Sequence, residues 1–232
     1  MRVVLFDIDG TLLSTQGAGK RAMESALAAH FGTTGPAEYH YGGKTDRQIV
    51  RDLMRGSGFA DDEIDARMPA LLADYLDGLR VELTGANGVD VHPGVTDLLD
   101  ALEQRTDVLV GLLTGNIEHG AHAKLTAGGL PPRRFRVGAF GSDHERRDAL
   151  PAIAQSRAAA LLGRAVAGER LVIIGDTPLD IECGRGVRAR ALAVATGSYS
   201  VESLAAHAPA AVFESLADTE RVMDSIFEQG VA

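Results

Sequence analysis

Only one cysteine, Cys183, occurs in the 232 residues, so no intramolecular disulfide can form, which agrees with a reducing compartment. No stretch approaches 18 uninterrupted apolar residues, so no membrane span is expected. The apolar run at the amino terminus is too short for a signal peptide and is broken by Asp7 and Asp9. The expectation is a soluble, cytoplasmic protein. Basic residues are outnumbered, 23 Lys and Arg against 32 Asp and Glu, for a net charge of −9. That balance argues against a broad nucleic-acid surface, while leaving room for a small anionic ligand whose pocket a divalent cation could turn locally positive. No repeat of fixed period and no linker between independent domains is visible. What is present is ordinary for a folded globule: 45% apolar and 24% charged residues. The length suits one large domain or a core with an insertion.

Residues 3–8, Val-Val-Leu-Phe-Asp-Ile, read as a buried strand stopped by acids and Gly10. Similar strands are expected at 107–113, 135–140, 171–175 and 190–195. Helices are expected at 95–105, 119–127, 149–162, 178–185 and 218–228. Strands that alternate with helices and are apolar on both faces predict an α/β protein with a mainly parallel sheet covered on both sides. Residues 14–88 differ, with helical patterns at 17–31, 46–57 and 61–81 and no clear strand. They predict a helical insertion after the first strand, with Gly85 to Pro93 returning the chain to the core.

Asp7-Ile8-Asp9-Gly10-Thr11 is the most informative stretch. In open parallel sheets ligands gather beyond the carboxyl ends of strands, and a buried strand that delivers two acids there needs a reason to carry them. Leu109 to Leu113 ends in Thr114-Gly115-Asn116, and Leu171 to Ile174 ends in Gly175-Asp176-Thr177-Pro178-Leu179-Asp180. Between them lies the charged segment Asp143-His144-Glu145-Arg146-Arg147-Asp148.

This constellation resembles the haloacid dehalogenase-like hydrolase superfamily, in its phosphatase branch with a helical cap after the first motif. The resemblance covers essentially the whole chain and implies a Rossmann-like core of residues 1–13 and 89–232 with a helical cap of residues 14–88. It implies that Asp7 attacks phosphorus to form an aspartyl-phosphate, and that Asp9 protonates the leaving oxygen and then activates water. It implies Mg²⁺ held by the Asp7 carboxylate, the Asp9 backbone oxygen and Asp176, with Asp180 and Asp143 as secondary candidates. Thr114, with the Gly115 and Asn116 amides, matches the phosphate-binding motif, and Thr11 can orient the first loop.

The family's third motif normally supplies a lysine, yet none lies between residues 125 and 232. Arg147 is the best positional match, with Arg146 and Arg157 as alternatives. In the expected cap, Tyr39-His40-Tyr41-Gly42-Gly43-Lys44 makes Lys44 the preferred specificity residue. His119 and His122 make a poor zinc claim, and Cys183 reads as packed rather than nucleophilic. The size and cap look like those of the phosphoglycolate phosphatase and phosphoglucomutase branch. The expected activity is hydrolysis of a small phosphorylated metabolite. The alternatives are a sugar-phosphate mutase, a phosphonate hydrolase and a non-catalytic phosphate-binding protein; monomer or homodimer is left open.

Overall fold

The computed structural model describes residues 1–85 and 88–228. The chain begins with β1 (Arg2–Phe6) and β2 (Leu13–Ser14), then runs through α1 (Ala18–Phe31), α2 (Asp46–Gly56) and α3 (Asp61–Leu83). It continues with β3 (Asp90–Val91), α4 (Val95–Glu103), β4 (Val108–Leu113), α5 (Glu118–Ala127), β5 (Val137–Ala139) and α6 (Leu150–Leu162). The last third holds β6 (Leu171–Gly175), α7 (Pro178–Cys183), β7 (Arg190–Val194), α8 (Val201–Ala205), β8 (Ala211–Phe213) and α9 (Thr219–Phe227).

All five residues of β1 are buried, which requires a strand on each side and a layer on each face. β4 and β6 flank it, both parallel, with Phe6 opposite Leu112 on one side and Ile174 on the other. The six-stranded sheet runs β5-β4-β1-β6-β7-β8, every pairing parallel. The chain thus builds outward from β1 in one direction, then returns to build the other way from β6. β1 stands where that direction reverses, the point at which such sheets open a crevice for ligands.

Side chains of β1 alternate between faces, as the two-residue strand period demands. Val4 and Phe6 join the core under α4, α5 and α9 with Leu98, Leu125 and Ile226. Val3 and Leu5 join the opposite core with Leu150, Ala154 and Ala158 of α6. A third cluster unites α1, α2 and α3 through Met23, Leu27, Leu53, Leu71 and Tyr75, and Ile117 beside α5 also packs into it.

The observed elements differ from the sequence reading in several places, among them the short helix α8, which was not expected. Strand pairing stops at Phe6 rather than Ile8, because Thr11, Leu12 and Leu13 all donate backbone hydrogen bonds to the Ile8 carbonyl in a tight turn. β2 and β3 form an antiparallel ladder of two residues each, Leu13 opposite Val91 and Ser14 opposite Asp90, where the chain enters and leaves the three-helix segment. β8 closes the sheet edge and was not expected, being three residues long and only partly buried. The expected return at Gly85 to Pro93 includes Ala86 and Asn87, which lie outside the described residues, as does the end of the expected core beyond Glu228.

Phe6 is fully buried at the centre of the sheet. Phe6→Ala should cost about 3–5 kcal/mol of stability, read from the urea midpoint at constant slope. A loss under about 1 kcal/mol would contradict its central place.

Candidate active site

Three carboxylates meet beyond the carboxyl ends of β1 and β6. Asp7, Asp176 and Asp180 are all buried, and each offers an oxygen within 4.8 Å of the others. Asp7 follows β1 directly, its amide donating to the Ile174 carbonyl at 2.9 Å. Asp176 follows β6, and Asp180 sits in the first turn of α7. The Thr177 hydroxyl accepts from the Asp180 amide, and the Asp180 carboxylate accepts from the Thr177 amide at 3.0 Å and hydroxyl at 2.7 Å. Its other oxygen is paired with the Arg147 guanidinium. Asp180 therefore serves as a helix cap and as the anchor of Arg147.

Arg147 is buried, its guanidinium 3.4 Å from Asp7, and its Nε has no hydrogen-bond partner. Burial alone would lower its pKa, but Asp180 and Asp7 hold it above the ordinary value. Arg146 and Arg157 lie elsewhere: Arg146 pairs with Asp148 at 3.4 Å, and Arg157 forks onto Asp143 at 2.6 and 2.7 Å. Asp143 also accepts from the Phe140 amide, so its carboxylate braces the β5–α6 connection and is not brought into the acidic triad.

The Thr11 hydroxyl donates to Asp176 at 3.1 Å. Gly10 has φ of +81°, and a Cβ there would overlap the Asp176 carboxylate, so the first turn tolerates only glycine. At the end of β4, buried Thr114 accepts from the Asn116 side chain at 2.8 Å. A Cβ on Gly115 would collide with the Lys44 carbonyl, so the loop before α2 lies directly on this turn. Lys44 lines the same cavity, but its ammonium stacks 3.7 Å above the Tyr39 ring and lies 3.8 Å from Asp52.

Asp9 leaves the triad. Its side chain, 42% exposed, turns toward α5, where both carboxylate oxygens meet the Lys124 ammonium at 2.8 and 2.7 Å. Lys124 and its neighbour Asp46 are the site residues that the motif reading passed over. A clue existed for Lys124: it shares the buried stripe of α5 with Ala121 and Leu125, an unusual position for a lysine. Around these groups opens a cavity of about 760 Å³ between the sheet edge and the three-helix segment, lined by Asp7, Asp9, Thr114, Lys124, Arg147 and Asp176 among others.

Two other residues fall as their chemistry suggests. His122 packs edge-on against Phe140, and no histidine joins a metal-ligating cluster among the described residues. Cys183 is buried, its thiol pushed up to about 12 chiefly by that burial, which leaves it unreactive.

The family model described as haloacid dehalogenase-like hydrolase matches residues 4–185, well over half of the chain. The chain belongs to that family. Phosphoglycolate phosphatase 1 of Pseudomonas aeruginosa is 29% identical over 94% of this hydrolase and 78% of its own length. A phosphoglycolate phosphatase of Synechococcus elongatus is 27% identical, covering 99% of the hydrolase and 100% of itself. The fold matches the crystal structure of a hydrolase from Pseudomonas syringae with TM-score 0.74 at 20% identity, across 98% of this chain and 100% of that one.

The hydrolase's own residues fit a divalent cation. Three carboxylates face one guanidinium, which leaves two negative charges uncompensated in a buried cluster of hard oxygen donors. The strain is visible in the acids. Burial, opposed by Arg147 and reinforced by Asp180 and Asp9, pushes Asp7 up to about 6. Burial, then repulsion from Asp180 and Asp7, lifts Asp176 well above the carboxylate range. A raised acid contributes stability that is complete below its ordinary pKa of 3.8 and is lost as pH rises through the folded value, here about 6 for Asp7. A cation reverses this by replacing the protons.

Mg²⁺ should therefore stabilise the metal-free protein more at about pH 8 than at about pH 5. At a hundredfold excess over Kd the gain in Tm at the higher pH should be on the order of 5–10 °C. Asp176→Asn should remove most of it. An equal shift at both pH values would contradict the acidic triad as the binding site.

Proposed function

We propose that this hydrolase is a Mg²⁺-dependent phosphomonoesterase acting on a small phosphorylated metabolite, with phosphoglycolate the first candidate. The observation that carries the proposal is a buried carboxylate, Asp7, beside a guanidinium with an unpartnered Nε and a second buried acid able to hold a metal, all three residues lining one cavity. The names of the two curated relatives support the choice of substrate.

In this reading an Asp7 oxygen attacks phosphorus, the bond from phosphorus to the substrate oxygen breaks, and Asp9 gives that oxygen its proton. Water then attacks the aspartyl-phosphate, Asp9 takes the water proton, and the bond from phosphorus to Asp7 breaks to release inorganic phosphate. Arg147 would hold the phosphoryl oxygens against Asp7, its orphaned Nε giving it a donor to spare. Thr114 and the Gly115 and Asn116 backbone would bind the same group from the β4 side, and Thr11 would steady Asp176. Asp7, the Asp9 backbone oxygen and Asp176 would hold Mg²⁺, which when bound screens the repulsion between Asp7 and an anionic phosphate. Residues 14–88 would act as the cap over a core of 1–13 and 89–232, and exclude bulk water from the cavity.

A phosphonate hydrolase working through a cap lysine fits less well, because the Lys44 ammonium lies on Tyr39 and beside Asp52. A mutase reading is separated by the fate of the phosphoryl group.

The decisive assay is a panel of small phosphoesters with Mg²⁺, read as released inorganic phosphate. Release should stop on chelation, return on readdition and be abolished by Asp7→Asn in a folded protein. Normal release by that variant, or retention of phosphate on an isomerised sugar, would overturn the proposal.

Lys44→Ala should change the ranking of substrates more than the rate on a generic aryl phosphate. Equal losses across the panel would remove Lys44 from substrate selection.

A further inference from the structure

An ammonium group is almost never found fully buried unless it is paired, because desolvation costs several kcal/mol. Lys124 is 4% exposed, so its surroundings must repay that burial. Its three N–H donors find three acceptors: the two Asp9 oxygens at 2.8 and 2.7 Å and the Asn116 carbonyl oxygen at 2.6 Å. The Asn116 amide closes the ring by donating to Asp9 at 2.8 Å and to Thr114 at 2.8 Å.

A second acid lines the same cavity as Lys124. Asp46, the first residue of α2, is buried, and its carboxylate accepts from the Ile117 amide at 2.8 Å. Its own amide donates to the Gly115 carbonyl at 2.8 Å, so α2 straddles the turn after β4. The Tyr75 hydroxyl of α3 stands nearby, 3.9 Å from where a Cβ on Gly19 would lie. Burial lifts Asp46 to about 6, and the largest opposing influence is the Lys124 charge. From α1 the neighbour is Gly19, where a Cβ would lie 3.2 Å from the Lys124 ammonium.

We infer that Lys124 is a positioning residue for Asp9: with Asn116 it fixes the orientation of the Asp9 carboxylate. The inference deepens the phosphatase proposal, which makes Asp9 the proton donor and acceptor, and it rests on that assignment. It makes the seating of the three-helix segment and the aim of Asp9 one packing unit, since Gly19 of α1 stands against both the Lys124 ammonium and the Tyr75 hydroxyl of α3.

The test uses the full-length protein with Mg²⁺ and Lys124→Met, which keeps the length and removes the charge. On p-nitrophenyl phosphate the leaving group departs without a proton, whereas the second step still needs Asp9 as base. Lys124→Met should lower kcat by about 10²-fold with little change in KM, and acid-quenched aspartyl-phosphate should accumulate during turnover. In an Asp9→Asn background the same substitution should cost almost nothing further. An unchanged kcat, or the same loss in both backgrounds, would overturn the inference.

Should Lys124→Met fail to fold, Gly19→Ala carries the test. Alanine is the better helix former, so Tm should hold or rise while kcat falls severalfold through crowding of Lys124. Unchanged kcat would count against the inference. A third arm needs no turnover: crystal structures should show the Asp9 carboxylate detached from Asn116 in Lys124→Met but not in the parent. An unmoved Asp9 overturns the positioning role even if the phosphatase proposal stands. Absence of phosphate release by the parent defeats the phosphatase proposal and leaves the geometric arm to be read.

Discussion

Like charges that are buried together repel one another and resist desolvation, and the sheet edge of this hydrolase holds three such groups. Asp7, Asp176 and Asp180 converge because β1 and β6 are parallel neighbours whose ends stop level, Phe6 beside Ile174. The fully buried β1 gives the cluster its rigidity, since neither face nor edge of that strand can shift without disturbing a core. One guanidinium offsets part of the charge, and the remainder suits the cluster to a divalent cation. Asp180 shows the division of labour: its capping of α7 and its pairing with Arg147 use its oxygens for support, leaving Asp7 and Asp176 for a ligand.

A second charge cluster mirrors the first across the cavity. Asp9, Lys124 and Asp46 all line the cavity, Asp9 paired with Lys124 and the more exposed of the two acids. The first cluster comes from strand ends and the helices packed on the sheet, whereas the second is assembled from both the sheet side and the three-helix segment. The ion pair of Arg51 with Glu145 at 2.6 Å and the bond from the Thr45 hydroxyl to the Glu145 carbonyl add to that contact. The aim of the Asp9 carboxylate and the position of the helical segment are thereby joined through a handful of side chains.

Much of this was legible from the chain because strands that end abruptly in acids, threonine or glycine announce both the strand and its functional end. Val3 to Phe6 and Leu171 to Ile174 were visible as apolar runs, and Asp7, Thr114 and Asp176 stood out at or just past the ends of such runs. Arg147 could be named among three arginines, but only distance separates it from Arg146 and Arg157. The short ladder of β2 with β3 and the edge strand β8 escaped because two or three residues carry no periodicity. Lys124 and Asp46 escaped for another reason. Lys124 lies 115 residues from Asp9, and Asp46 lies 71 residues from Ile117, so their meeting depends on tertiary packing that no local motif encodes. Only the placement of a lysine on an otherwise apolar helix stripe hinted at it.

The account stands or falls on whether Asp7 and Asp176 share one divalent cation. Mn²⁺ takes the same oxygen donors as Mg²⁺ and scatters anomalously, so a Mn²⁺-soaked crystal reads the site directly. The account predicts a single strong anomalous peak within coordinating distance of both the Asp7 and Asp176 carboxylates. A peak bound elsewhere, or none at all with both carboxylates ordered, would contradict it.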